Sequence, residues 1–149
     1  MERFVVGVDG SDGSRAALRW AVDEAKIRDA VVDVVMAWDY PAMGAFAIGV
    51  GMASSEEFER DTRAVVEAML TVEGLAESDR LRIVVGWGPA APLLLEHADG
   101  AELVVVGSRG RGAFAGMLLG SVSLHVATHA HGPVVVVPPM AADDGGSRA

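Results

Sequence analysis

Leu103-Val104-Val105-Val106-Gly107-Ser108-Arg109-Gly110-Arg111-Gly112-Ala113-Phe114-Ala115-Gly116-Met117-Leu118-Leu119-Gly120-Ser121-Val122-Ser123 (residues 103–123) passes from strand to loop to helix. The leading apolar run, rich in valine, reads as a strand buried on both faces, the habit of a parallel sheet. The glycines that follow let the backbone approach a ligand closely. Gly120-Ser121 then opens a helix whose first N–H groups lack intrahelical partners and, with the helix dipole, favour an anion. The hydroxyls of Ser121 and Ser123 can add hydrogen bonds. Arg109 and Arg111 add charge, and a guanidinium can hold two oxygens at once. Ser108 and Gly112 complete the loop. From residue types alone this reads either as a polyphosphate cradle or as a structural connection ending in a serine N-cap.

The same alternation extends outward in both directions. Residues 4–8 are apolar and end at Asp9-Gly10-Ser11-Asp12-Gly13, a turn rich in helix-capping types. The helix after it should reach Arg28, because Leu18, Ala21, Val22 and Ala25 share one face of a 3.6-residue period. Residues 31–38 make a second strand, followed by a loop of low polarity over 39–54. A second helix over 56–72, a third strand over 81–87 and a short third helix over 89–98 precede the stretch quoted above. A fourth helix over 121–130 and a last strand over 133–137 follow it. Five strands alternating with four helices predict a single α/β domain, Rossmann-like and doubly wound, with a five-stranded parallel sheet covered on both faces. The domain spans residues 1–140, and the small polar residues 141–149 read as a loose tail. A ligand in such a sheet sits beyond the carboxyl ends of the strands, where strand order reverses. The loops after the first and fourth strands fit that place.

Composition narrows the function classes. The chain has 149 residues, 51% of them hydrophobic, and no cysteine, so a thiolate metal site, a disulfide framework and a cysteine nucleophile are excluded. A net charge of −9 argues against a nucleic-acid partner, which needs a clustered positive face. Apolar stretches are too short for a membrane span, and the strand pattern starting at Phe4 does not resemble a secretory leader; the expectation is a cytoplasmic protein. Lys26, the only lysine, sits mid-helix, which rules out a P-loop. The glycines after the fourth strand run Gly-x-x-Gly-x-Gly, not the dinucleotide fingerprint.

Further residues invite other chemistry. His125 and His129 stand four apart, with His131 beyond, a spacing that suits a metal but equally suits histidines at the negative end of a helix. With no supporting acid nearby, no metal site is expected. Asp9 has neither the adjacent acid nor the distal lysine of a phospho-acceptor, and Ser11 and Ser121 lack the Gly-x-Ser-x-Gly elbow of a hydrolase. The apolar loop over 41–52 reads as a partner-binding flap or as a cover over the sheet edge or nucleotide. Val134–Val137 would be a pairing hazard if it formed an edge strand, which suggests a homodimer through it, unless Pro133, Pro138 and Pro139 blunt the edge.

Gly107-x-x-Gly110, nine residues, then Gly120-Ser121 resembles the ATP-binding signature of the universal stress protein family. Val6-Gly7-Val8-Asp9-Gly10-Ser11 resembles the family's opening strand and turn, and His129-Ala130-His131-Gly132-Pro133-Val134 its closing helix and strand. The likeness runs over residues 3–138, with mild departures at Glu102 and Gly132. It implies ATP held across the carboxyl ends of strands one and four. Asp9 and the backbone at Ala37 would meet the adenosine end, with Gly7 beneath the turn. Gly107, Gly110, Gly120, Ser121 and Val122 would wrap the phosphates, Ser123 would support them, and Mg2+ or Mn2+ would bind through the phosphates. The expected role is a nucleotide-dependent regulator of stress or growth state, acting through a protein partner and with no catalytic residue. The alternatives are a slow ATPase or phosphotransferase, and a dimeric scaffold that binds cyclic AMP or no nucleotide.

Overall fold

Capping chemistry places the first two helices. The computed structural model describes residues 1–39, 54–110 and 116–139. After β1 (Arg3–Gly7), the Ser11 hydroxyl accepts from the Ser14 amide at 3.2 Å and starts α1 (Asp12–Arg28). Asp29, at φ 53°, ends it in the left-handed region and returns its N–H to the Ala25 carbonyl. β2 (Val31–Trp38) follows. α2 (Ser55–Val72) opens with a reciprocal box: the Glu57 amide donates to Ser54 Oγ at 3.3 Å, and the Ser54 amide to Glu57 Oε2 at 2.6 Å. β3 (Leu81–Trp87), α3 (Ala90–Ala98), β4 (Leu103–Gly107), α4 (Ser121–His129) and β5 (Val134–Val137) complete the order.

The five strands form one parallel sheet in the order β3-β2-β1-β4-β5. Strand order reverses between β1 and β4, where Phe4 to Val6 pair with Leu103 to Val105. The loops after these two strands therefore open at the switch point expected of a doubly wound sheet.

Alternation along the strands divides the core into two layers. Phe4, Val6, Val32, Val34, Leu103 and Val105 pack against α1 and α2 through Leu18, Val22, Val66 and Leu70. Val5, Val35, Val104 and Val106 face α3 and α4, where Ala91, Leu94 and Val126 cover them. Towards the amino ends of the strands, the buried Asp33 carboxylate accepts from Arg3 Nη1 at 3.0 Å and from Arg82 Nε at 2.7 Å. Arg3 also donates to the carbonyls of His97 (2.9 Å) and Asp99 (2.7 Å), binding the carboxyl end of α3 to the sheet.

The expected fold is the observed one, and the differences lie at element ends. β1 stops at Gly7 instead of residue 8, although the Val8 amide still reaches the Val35 carbonyl at 2.9 Å. Pro89 caps α3 instead of starting it, α2 begins one residue earlier, and β4 includes Gly107. α4 ends at His129, and Pro133 precedes β5, its carbonyl accepting from the Val104 amide at 3.0 Å. The apolar loop over 41–52 and the tail over 141–149 lie outside the described residues.

Candidate functional site

At the switch point lies a cleft of about 230 Å³. Its first wall is the turn after β1. Asp9 Oδ1 accepts from the Ser11 amide at 2.9 Å and from the Ser11 hydroxyl, and the Asp9 amide donates to Ser14 Oγ at 3.3 Å. The Asp9 carboxylate therefore braces the turn that also caps α1. Its other oxygen faces Gly110: a Cβ at Gly110 would collide with Asp9 Oδ2.

The second wall is the loop after β4, and absent side chains bring it close. A Cβ on Gly107 would stand 2.7 Å from the Gly13 carbonyl oxygen, and one on Gly13 would meet the Arg109 carbonyl oxygen. Real Cβ atoms do not approach backbone so closely, so glycine at both positions lets the two loops touch. Behind the loop, the Ser108 amide donates to the Val137 carbonyl at 2.8 Å. The Ser108 carbonyl accepts from the Gly120 amide at 2.6 Å and from the buried Ser123 hydroxyl at 2.8 Å.

These bonds fix the start of α4 and leave it open. Gly120 is the N-cap and supplies no side-chain cap, unlike Ser11 on α1 and Ser54 on α2. Among the described residues, no group bonds the first-turn amides of Ser121, Val122 and Ser123, and all three residues line the cleft. Exposed helix N-termini of this kind present N–H donors and a partial positive charge to an anion. Arg109, on the same wall, adds a full charge.

The other end of the cleft is apolar. Val35 and Ala37 from β2, Val106 from β4, Ala90 and Leu94 from α3, and Met117 close it. The cleft thus joins an apolar lining to a polar one that carries open N–H donors. That pairing suits a nucleobase joined to phosphate.

Of the residues singled out from the sequence, Gly7, Asp9, Ala37, Gly107, Arg109, Gly110, Gly120, Ser121, Val122 and Ser123 all line this cleft. Ser108 does not: it is buried behind the loop and acts through its backbone. The Ser123 hydroxyl donates to the Ser108 and Gly120 carbonyls, so its proton holds the loop to the helix and is not offered to a ligand. Arg111 and Gly112 fall outside the described residues. Sequence reasoning missed Val35, Val106, Ala90, Leu94 and Met117 as lining residues, and it noted Ser11 only as a cap. The rings of His125 and His129 stack with centroids 4.2 Å apart, and His129 Nδ1 lies 3.0 Å from the His125 carbonyl. Among the described residues, no three histidine or carboxylate side chains converge as metal ligands would.

The comparisons with known proteins bear on the family and the fold. A universal stress protein of Mycobacterium tuberculosis strain H37Rv is 33% identical over 141 residues, covering 92% of this chain and 48% of that protein. One from Mycolicibacterium smegmatis is 39% identical over 140 residues, covering 91% and 45%. The chain therefore spans about half the length of the curated relatives it matches. Among solved structures, a universal stress protein from Lactobacillus plantarum matches with a TM-score of 0.75 at 23% identity, over 91% of this chain and 97% of the other. The crystal structure of a universal stress protein in complex with cAMP matches with a TM-score of 0.70 at 25% identity, over 93% and 97%. Residues 1–138 match the universal stress protein family as a whole, and the chain belongs to that family.

Proposed function

We propose that this chain binds ATP in the cleft between the β1 and β4 loops and works as a nucleotide-dependent regulator in the cytoplasm. The observation that carries the reading is the uncapped N-terminus of α4, which opens into a cleft whose far end is apolar. The base would lie against Val35, Ala37 and Leu94, and the phosphates would meet the amides of Ser121 and Val122 and the Gly107–Gly110 backbone, with Arg109 nearby. Mg2+ or Mn2+ would come with the phosphates. Support for an adenine nucleotide comes from the related structure that holds cAMP, and for that reason a cyclic nucleotide is the second reading.

Regulation is favoured over turnover by the state of Asp9. It is the only carboxylate among the described lining residues, and its Oδ1 is engaged by Ser11. A general base must instead be free to take a proton from a positioned water. Self-association through the outer edge of β5 is part of the proposal: β5 closes one side of the sheet, and an unpaired edge favours a second strand.

The test is to denature freshly purified protein and identify the released nucleotide with its stoichiometry by mass spectrometry. Near-equimolar ATP is the expected result. ADP alone would transfer the reading to a slow ATPase, and cAMP to the second reading. No nucleotide, together with no binding of added ATP and magnesium, would overturn the proposal.

A further inference from the structure

α3 is seated on the sheet by two glycines. A Cβ on Gly7 would lie 2.7 Å from Leu94 Cδ1 and 3.1 Å from Cδ2. On β3, a Cβ on Gly86 would lie 2.6 Å from Leu93 Cδ1 and 2.8 Å from Cδ2. Two successive leucines of one helix thus occupy the space that side chains at 7 and 86 would otherwise take. The two differ in what lies beside them. Leu94 is 3% exposed and forms part of the cleft's apolar end, whereas Leu93 does not line the cleft.

This arrangement makes one side chain the measure of the cleft's depth. The isobutyl group of Leu94 packs on the bare backbone of Gly7, and both residues line the cleft. Nothing at position 7 could refill the space if that group were cut back. Ala90, one turn earlier on the same helix, contributes only a methyl to the wall. Elsewhere the apolar end is walled from the sheet by Val35, Ala37 and Val106, whose positions are fixed by strand register.

We infer that Leu94, held against Gly7, is a specificity-determining residue that limits the cleft to an unsubstituted purine ring. The inference rests on the nucleotide reading given above. A hydrophobic wall discriminates by size: one extra methylene that does not fit is worth roughly 10- to 200-fold in selectivity. An adenine nucleotide with an added alkyl group on the edge facing Leu94 should therefore bind the native chain at least about tenfold more weakly than ATP. Removing the Leu94 side chain should abolish that penalty.

The experiment measures binding of ATP and of three analogues, with an ethyl-sized group at N6, C2 or C8, to the native chain, Leu94→Ala and Leu94→Val. The native chain is expected to bind ATP and to reject at least one analogue. Leu94→Ala is expected to bring that analogue within about threefold of ATP, with Leu94→Val intermediate, following the size of the space opened. Circular dichroism shows which variants fold; should Leu94→Ala fail to, the smaller cut in Leu94→Val still reads the same exchange. A native chain that binds ATP and all three analogues alike would overturn the inference and leave ATP binding standing, as would a penalty that survives unchanged in both variants. A native chain that binds neither ATP nor any analogue would overturn the nucleotide reading itself.

Discussion

Gly107 and Gly13 meet backbone to backbone: a Cβ on Gly107 would stand 2.7 Å from the Gly13 carbonyl oxygen and 3.2 Å from the Ser14 amide nitrogen. Neither partner atom belongs to a flexible side chain, so the clash cannot be relieved by a rotamer change. Gly107→Ala is expected to cost about 1–3 kcal/mol of stability, the usual range for overpacking. It should also part the two loops and lower nucleotide retention. Gly132→Ala is the control, because the nearest atom to its Cβ would be the Ala101 carbonyl oxygen at 4.0 Å. Urea denaturation of both variants checks the contrast.

Gly7→Ala should behave differently, because the obstructing atoms are the terminal methyls of Leu94. Leu94 can turn aside, and because it lines the cleft its displacement is expected to narrow it. The expected outcome is a smaller loss of stability than for Gly107→Ala, with at least about tenfold weaker ATP binding. Calorimetric titration with ATP alongside thermal unfolding separates the two effects.

Ser123→Ala removes a buried hydroxyl that holds the Ser108 carbonyl at 2.8 Å. A typical net loss of about 1 kcal/mol is expected. Because the same bond fixes the β4 loop to α4, bound nucleotide should dissociate faster than from the native chain. Ser121→Ala, at an exposed position, should leave stability nearly unchanged. Stopped-flow displacement of a fluorescent nucleotide reads the rate.

Gly120 tolerates a methyl but has little space for more. Its Cβ would lie 3.4 Å from Arg109 Cα and 3.6 Å from the Gly110 nitrogen. Gly120→Ala should cost about 1 kcal/mol, because glycine is well ahead of alanine at an N-cap. Gly120→Leu should fold yet lose its nucleotide by obstructing the α4 amides. Mass spectrometry of the denatured variants is the measurement.

Arg3 and Asp33 form the anchor at the opposite end of the sheet. Asp33→Ala leaves Arg82, whose side chain is 56% exposed, free to return to water, so the expected loss is about 2 kcal/mol. Arg3→Ala leaves a buried carboxylate with one partner and frees the carbonyls of His97 and Asp99 at the end of α3, and should cost more, about 3 kcal/mol. Neither change should alter ATP affinity in the protein that remains folded. Denaturant melts with and without ATP test both statements.

The architecture was legible because its signals are local. Adjacent valines marked all five strands, and the capping types around Ser11 marked the start of α1, whereas the capping box at Ser54 was not read from the sequence. The polar half of the cleft was legible for the same reason, since Gly107 to Gly110 and Gly120 to Ser123 are close in sequence. The apolar half was not. Val35 and Val106 read as ordinary core, and only their place at the carboxyl ends of β2 and β4 marks them as lining. Leu94 and Ala90 carry no local signal at all: they reach the cleft because Gly7 and Gly86 let α3 sink onto the sheet. Ser123 was given to the ligand, whereas packing gave its proton to Ser108. Such assignments depend on which carbonyl stands nearby in three dimensions, and spacing along the chain does not encode that.

The bond from the Ser108 amide to the Val137 carbonyl, 2.8 Å long, joins the loop beside the cleft to the outermost strand. Whatever seats itself along β5 therefore pulls on the same backbone that a phosphate would grip. Two equilibria that share a piece of backbone are linked, and each must shift the other by the same factor. If the chain pairs along β5 and binds nucleotide as proposed, dilution would become an effector: a pairing that breaks at low concentration would release its hold on the loop, and the apparent affinity for nucleotide would depend on how much of the protein is present.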